Sequence, residues 1–124
     1  MDDYELPGSG KNDEFPTGAK RDSQDNKPRF DLIDEKFLYN LAIHLKRGAD
    51  KYGEDNWRKG IALSRYKASL LRHIYAIFLD EDPKEDHVSA VVFNLMAMVA
   101  TARMINDGEL PQELGDIDEI FNYI

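Results

Sequence analysis

Phe37, Leu38, Leu41, Leu45, Gly48 and Tyr52 recur at spacings of three and four, the period of a helix with one apolar face. Asp34 suits the N-cap of that helix, Glu35 its first turn, and Gly53 a stop after Lys51. A second helix is predicted from Ser64, as N-cap, to about Leu79. Tyr66, Leu70, Ile74 and Ile77 form its apolar stripe, while Arg65, Ser69, Arg72, His73, Ala76 and Asp80 lie on other faces. A third helix is predicted from Pro83 or Glu85 to Asn106. Its centre, Ala90 to Ala100, is apolar nearly all round, so it should be the central, most buried element, and Gly108 ends it. Ile117, Ile120, Phe121 and Ile124 then read as a short helix docking on a neighbour. No stretch carries a strand signal, and no segment repeats.

These elements imply an all-α fold, an antiparallel helical bundle of about three to five helices with an extended N-terminal arm. Residues 1–26 form the arm, rich in Asp, Gly, Ser, Asn and Pro, with its first part expected to lack fixed structure. Residues 27–106 form the helical core, and residues 107–124 an acidic tail with a short helix. The acidic connection Asp80 to His87 should join antiparallel neighbours.

Charge separates these regions. The arm carries seven Asp/Glu against three Lys/Arg, and the tail six Asp/Glu against none. The core carries 13 Lys/Arg against 11 Asp/Glu, within a net charge of −8. Bulk affinity for nucleic-acid polymers is therefore not expected, but a small anionic ligand suits the core. With no cysteine, disulfides, thiolate metal sites and Cys nucleophiles are excluded. The apolar run from Val88 to Met104, broken by Asn94 and Arg103, reads as a buried helix rather than a membrane span. A soluble, cytoplasmic protein is expected, because the start Met1-Asp2-Asp3-Tyr4-Glu5 lacks an apolar leader.

The segment Arg47 to Gly60 holds the one Trp and three glycines between two helices. It reads either as a loop holding a flat anionic ligand or as a helix stop, a turn and a buried Trp57. Asn94 is a buried amide sharing a face with His87, seven residues earlier. It is either functional or a helix–helix hydrogen bond that sets register. Asp80, Glu81, Asp82, Glu85 and Asp86 beside His87 are either a hard-cation site or a solvated turn. Arg72 suits phosphate, and His73 a ligand, donor or structural role. His44 reads as a structural histidine. Lys27 and Arg29 either fold over a phosphate chain or are surface charge.

Taken in order, Arg21 to Leu32, Gly48 to Gly53 with Asn56 to Gly60, Ser64-Arg65-Tyr66, Arg72-His73, and Asp86-His87 to Asn94 resemble the dATP/dGTP diphosphohydrolase N-terminal family. That family is common in bacteriophages and is grouped near the MazG-like all-α nucleoside triphosphate pyrophosphohydrolases. The resemblance implies an all-α, usually oligomeric protein with a divalent-metal site between helices. It implies splitting of a purine (d)NTP into (d)NMP and pyrophosphate. On that basis Glu81, Asp82 and Asp86 are the catalytic carboxylates and, with His87, hold Mg²⁺ or Mn²⁺. Lys27, Arg29, Lys51, Tyr52, Asn56, Trp57, Arg72, His73 and Asn94 contact the substrate, a purine deoxynucleotide or related nucleotide. A homo-oligomer in the host cytoplasm, with no membrane or nucleic-acid partner, is expected.

Three departures stand out. MazG-like enzymes place a Glu-rich pair on one helix and an E-x-x-D pair on the next, whereas this chain has Asp86, His87 and Ala90 near the second pair. Many relatives have a second His at Ala90 and a longer acidic loop before His87. Asn26 stands where Gly is frequent. Two rival readings follow: a catalytically weak protein that sequesters a nucleotide or cyclic-nucleotide signal, and a structural helical protein whose motif residues cap and pack.

Overall fold

The computed structural model describes residues 11–124. The first part of the arm, expected above to lack fixed structure, lies outside them. The described residues fall into two compact units, the first ending at Ile33 and the second running Asp34–Ile124. The acidic tail thus belongs to the helical unit.

The first unit corrects the expectation of a strandless arm. β1 (Asn12–Glu14) pairs antiparallel with β2 (Lys20–Asp22), placing Asp13 opposite Arg21 and Glu14 opposite Lys20. Opposite charges facing across the ladder favour the pairing. Pro16 occupies the second position of the turn, and Gly18, at φ +86°, donates back to the Phe15 carbonyl at 2.8 Å. That is favourable hairpin chemistry. The strands are three residues of polar side chains, so no apolar alternation announced them. Asn26 sits at φ +66°, a left-handed backbone that Asn tolerates better than most residues.

In the second unit, α1 (Glu35–Tyr52) begins where expected: the Asp34 carboxylate accepts from the Phe37 N–H at 2.8 Å. Gly53, at φ +96°, ends it. α2 (Leu63–Phe78) starts two residues earlier than a Ser64 cap would give, after Ala62, which offers no side-chain cap. The expected cap, Ser64, instead lies inside the first turn and is a hydrogen-bond donor. Its N–H and hydroxyl both donate to the Asp116 carboxylate, so the tail supplies the oxygen that Ala62 lacks. α3 (His87–Asn106) is capped by Asp86, which accepts from Ser89, and is followed by Gly108 at φ +79°. It starts at His87 rather than Pro83 or Glu85, because residues 83–86 form a non-helical turn and Asp86 supplies the cap.

α3 is the hub, packing against α1, α2 and the tail. By length and composition alone it is apolar enough to cross a membrane. In the bundle, nine of its residues are buried, including Ala90, Ala97 and Ala102, whose small side chains let neighbours approach. The core joins Leu63, Tyr66, Ala97, Met98, Ala102 and Ile105, with Trp57, Leu70, Phe93, Leu114, Ile117 and Phe121 packed around it. The tail docks as expected, but as 3₁₀ turns at Gln112–Leu114 and Glu119–Tyr123 rather than an α-helix. Gly60 packs against side chains of that tail. It lies at φ +108°, and a Cβ there would meet Leu114 Cδ1 at 2.9 Å.

Candidate functional site

The chain has three histidines, and each major helix contributes one: His44 from α1, His73 from α2 and His87 from the start of α3. His87 is buried, and its Nε2 lies 2.8 Å from the Glu81 carbonyl oxygen. A carbonyl only accepts, so Nε2 carries the proton, and in neutral His87 the Nδ1 lone pair is left outward. That Nδ1 stands 2.9 Å from Nδ1 of His73 and 4.0 Å from Glu85 Oε2. The ligating atoms of His73, Glu85 and His87 all lie within 4.8 Å of one another.

The electrostatics link all three rings. Burial pushes the His73 imidazole below its ordinary pKa; Glu85 opposes this, while His87, Arg72 and His44 add to it. Burial also lowers the pKa of His44, against the nearby charges of Asp86 and Glu85. Two neutral imidazoles and a carboxylate are donors that bind a divalent cation. A ring N–H held by a backbone carbonyl is how ligating histidines are oriented. The residues present therefore fit such an ion.

The carboxylates expected to hold metal are placed differently. Asp86 is engaged as a cap: Oδ1 accepts from the Ser89 N–H at 3.0 Å and Oδ2 from its hydroxyl at 2.6 Å. Burial disfavours its charge, yet these bonds hold its pKa below the usual value. Glu81 reaches the cluster through its backbone carbonyl, its side chain being exposed. Asp82 is exposed, and its carbonyl accepts from the Glu85 N–H at 2.9 Å. Of the expected ligands, His87 alone has its side chain in the cluster, joined by His73, expected as a substrate contact, and by Glu85.

Arg72, His73 and Asn94 come together along the α2–α3 seam. Asn94 Nδ2 donates to Ser69 Oγ at 3.1 Å and to the Ala90 carbonyl at 2.8 Å. Arg72 Nη2 donates to the same Ser69 oxygen at 3.3 Å. Ser69 thus tethers an exposed guanidinium one residue from a cluster histidine, on the same helix.

The Gly-and-Trp segment connects to this region through Phe93, whose ring lies 5.5 Å from His44 and 6.5 Å from Trp57. Trp57 is half-buried against the core, with the Arg58 guanidinium 4.4 Å over its ring. Lys51 and Tyr52 are exposed, the ammonium 5.2 Å from the ring centroid, and Asn56 is half-buried. Lys27 and Arg29 belong to the first unit. Lys27 pairs with Asp22 at 3.1 Å, and Arg29 forms a two-pronged pair with Asp31.

Sequence reasoning missed Ser69 as a hub and His44 as a neighbour of the acidic connection; it weighed Glu85 in the hard-cation group, but the ligand set implied by the resemblance left it out. The usable signal was Glu85-x-His87 next to an inward-facing His73.

A family model described as dATP/dGTP diphosphohydrolase, N-terminal, matches residues 17–109. No curated protein and no solved structure matches.

Proposed function

Because the chain belongs to the dATP/dGTP diphosphohydrolase N-terminal family, we propose that it hydrolyses purine (d)NTPs to the (d)NMP and pyrophosphate with a divalent cation, Mg²⁺ or Mn²⁺ by family resemblance. The observation carrying this reading is the His73–Glu85–His87 cluster, with Arg72 next to His73 on α2 and its charge acting on the His73 ring.

His73, Glu85 and His87 would hold the cation. When bound, it supplies charge neutralisation for the triphosphate and a more acidic water. Arg72 binds phosphate oxygens with a charge it cannot lose at working pH. Exposed Lys51 adds a second cation, and Tyr52 presents a ring on which a purine stacks, with Trp57 and Asn56 lining the same segment. Glu81 and Asp82, whose carboxylates face solvent on the acidic connection, include the base that accepts the attacking water's proton. Water then bonds to the α-phosphorus as the bond to the bridging oxygen breaks and pyrophosphate leaves. Catalysis of this kind is chiefly positioning and charge stabilisation.

The test is to incubate the protein with each dNTP and NTP plus Mn²⁺ or Mg²⁺ and separate the products. dATP and dGTP are expected to yield dNMP and pyrophosphate. Release of neither product from any nucleotide would sink the enzyme reading.

One observation favours a second reading, nucleotide sequestration without turnover. Both Asp86 oxygens are committed to Ser89, leaving fewer carboxylates for chemistry. Recovery of intact dATP or dGTP from its complex would support that reading, and rapid conversion would eliminate it.

Self-association belongs to the same proposal. α1 has an apolar stripe yet no buried residue, and Leu71, Tyr75 and Phe78 form a second exposed apolar stripe on α2. An exposed apolar surface of that kind marks an interface. Light scattering should give a mass above that of one chain.

A further inference from the structure

We propose that His73, Glu85 and His87 form a preorganised site selective for a borderline transition cation of the Mn–Co–Zn class over Mg²⁺, with the Glu81 backbone carbonyl as its positioning group. This rests on the reading that the α2–α3 seam binds a divalent ion, and it replaces the oxygen-only ligand set with a mixed nitrogen–oxygen one.

Three geometric facts carry it. First, the donor set is two imidazole nitrogens and one carboxylate. Imidazole suits borderline transition ions, whereas Mg²⁺ demands oxygen ligands and gives up water reluctantly. Second, His87 is pinned. Its Nε2 meets the Glu81 carbonyl at 2.8 Å, so the buried ring presents Nδ1 and cannot swap tautomer without losing that bond. Third, the two Nδ1 atoms stand 2.9 Å apart. Two nitrogens each about 2.1 Å from one ion at right to tetrahedral angles lie about 3.0–3.4 Å apart. Displacing the shared proton for a cation therefore needs only a small movement of two rings.

The backbone adds to this preorganisation. The His87 N–H donates to the Glu85 carbonyl at 2.9 Å, so two ligands two residues apart are tied into one tight turn. The Glu85 N–H donates to the Asp82 carbonyl at the same distance, closing the turn before it. Glu85 itself is exposed, so its carboxylate can rotate toward His87 from 4.0 Å. The rival ligand Asp86 would have to abandon two hydrogen bonds from Ser89 and uncap α3. That difference favours Glu85 as the oxygen donor.

The test titrates full-length, metal-stripped protein with Co²⁺, followed by visible absorption, and with Zn²⁺, Mn²⁺ and Mg²⁺ by calorimetry. Co²⁺ and Zn²⁺ should bind at least about a hundredfold tighter than Mg²⁺. His73→Gln and Glu85→Gln should abolish or strongly weaken the Co²⁺ absorption. Glu81→Gln and Asp82→Asn, which leave the backbone carbonyls in place, should retain it. Because His87 is buried, its variant is read only alongside circular dichroism, and the half-buried His73 and exposed Glu85 decide the matter. Unchanged Co²⁺ binding in His73→Gln, loss of it in Glu81→Gln, or Mg²⁺ binding as tightly as Co²⁺ would each overturn the proposal. Pyrophosphate release with Mg²⁺ alone that survives His73→Gln would refute this site while leaving the hydrolase reading intact. Ligand-dependent Co²⁺ binding without any nucleotide hydrolysis would support the site and defeat the hydrolase reading.

Discussion

Asp116 caps α2 at Ser64, 52 residues earlier in the chain, by accepting both its N–H and its hydroxyl proton. The first turn of α2 therefore depends on the tail being docked. Asp116→Ala should lower the melting temperature by roughly a few degrees, as losing a helix cap does. Ser64→Ala should lower it less, because the N–H bond survives.

The same contact has a pH signature. The Ser64 hydroxyl, then its N–H, hold the Asp116 pKa below its ordinary value in the folded protein. Its contribution is therefore fully present above the unfolded value of about 3.9 and is lost as pH falls through the lower folded value. The melting-temperature gap between wild type and Asp116→Asn should be constant near neutrality and shrink below about pH 4. A gap that widens in acid would contradict this contact.

Two glycines of one segment should respond in opposite directions. At Gly60, Ala must adopt φ +108° and push against Leu114 Cδ1 at 2.9 Å and Leu110 Cδ2 at 3.2 Å. Gly60→Ala is expected to cost about 1–3 kcal/mol in a urea melt. Gly48 is interior to α1, and an added Cβ meets nothing within 4 Å. Gly48→Ala should stabilise by about 0.5–1 kcal/mol.

Asn94 and Ser69 should behave as a coupled pair. Asn94→Ala removes a buried amide bonded to both helices and is expected to cost about 1–3 kcal/mol. A double-mutant cycle with Ser69→Ala should show about 0.5–1.5 kcal/mol of non-additivity. Additive effects would mean that the bond between them contributes nothing to register.

Arg72 separates function from stability. Its guanidinium is exposed and holds one 3.3 Å bond to Ser69. Under the proposed function, Arg72→Ala should lower kcat/KM for dATP and dGTP by about 10–100-fold, with Arg72→Lys recovering only part. The melting temperature should hardly move. Loss of stability at unchanged kcat/KM would instead assign Arg72 a packing role.

Particular residues show how far the chain could be read in advance. Asp34, Gly53 and Gly108 act at the helix ends expected of them, since caps and stops operate within one turn of backbone. The all-round apolarity of Ala90 to Ala100 identified α3 as the hub. The β1–β2 hairpin escaped because its signal was turn chemistry and cross-strand charge rather than apolar alternation. Ser64 was misread as a cap because the true acceptor, Asp116, is remote in sequence.

By itself the sequence determined the helices, their order, the identity of the central one and the ordered motifs of a nucleotide-hydrolase family. The helices follow from periodicity and local backbone chemistry, which reach only a few residues, and the family from the resemblance of its ordered motifs. Tertiary structure decided which polar groups meet: His73 with His87 and Glu85, Asn94 with Ser69, and Asp116 with Ser64. These meetings depend on the register at which helices pack, and register is set by many weak, non-directional apolar contacts. No single residue announces it.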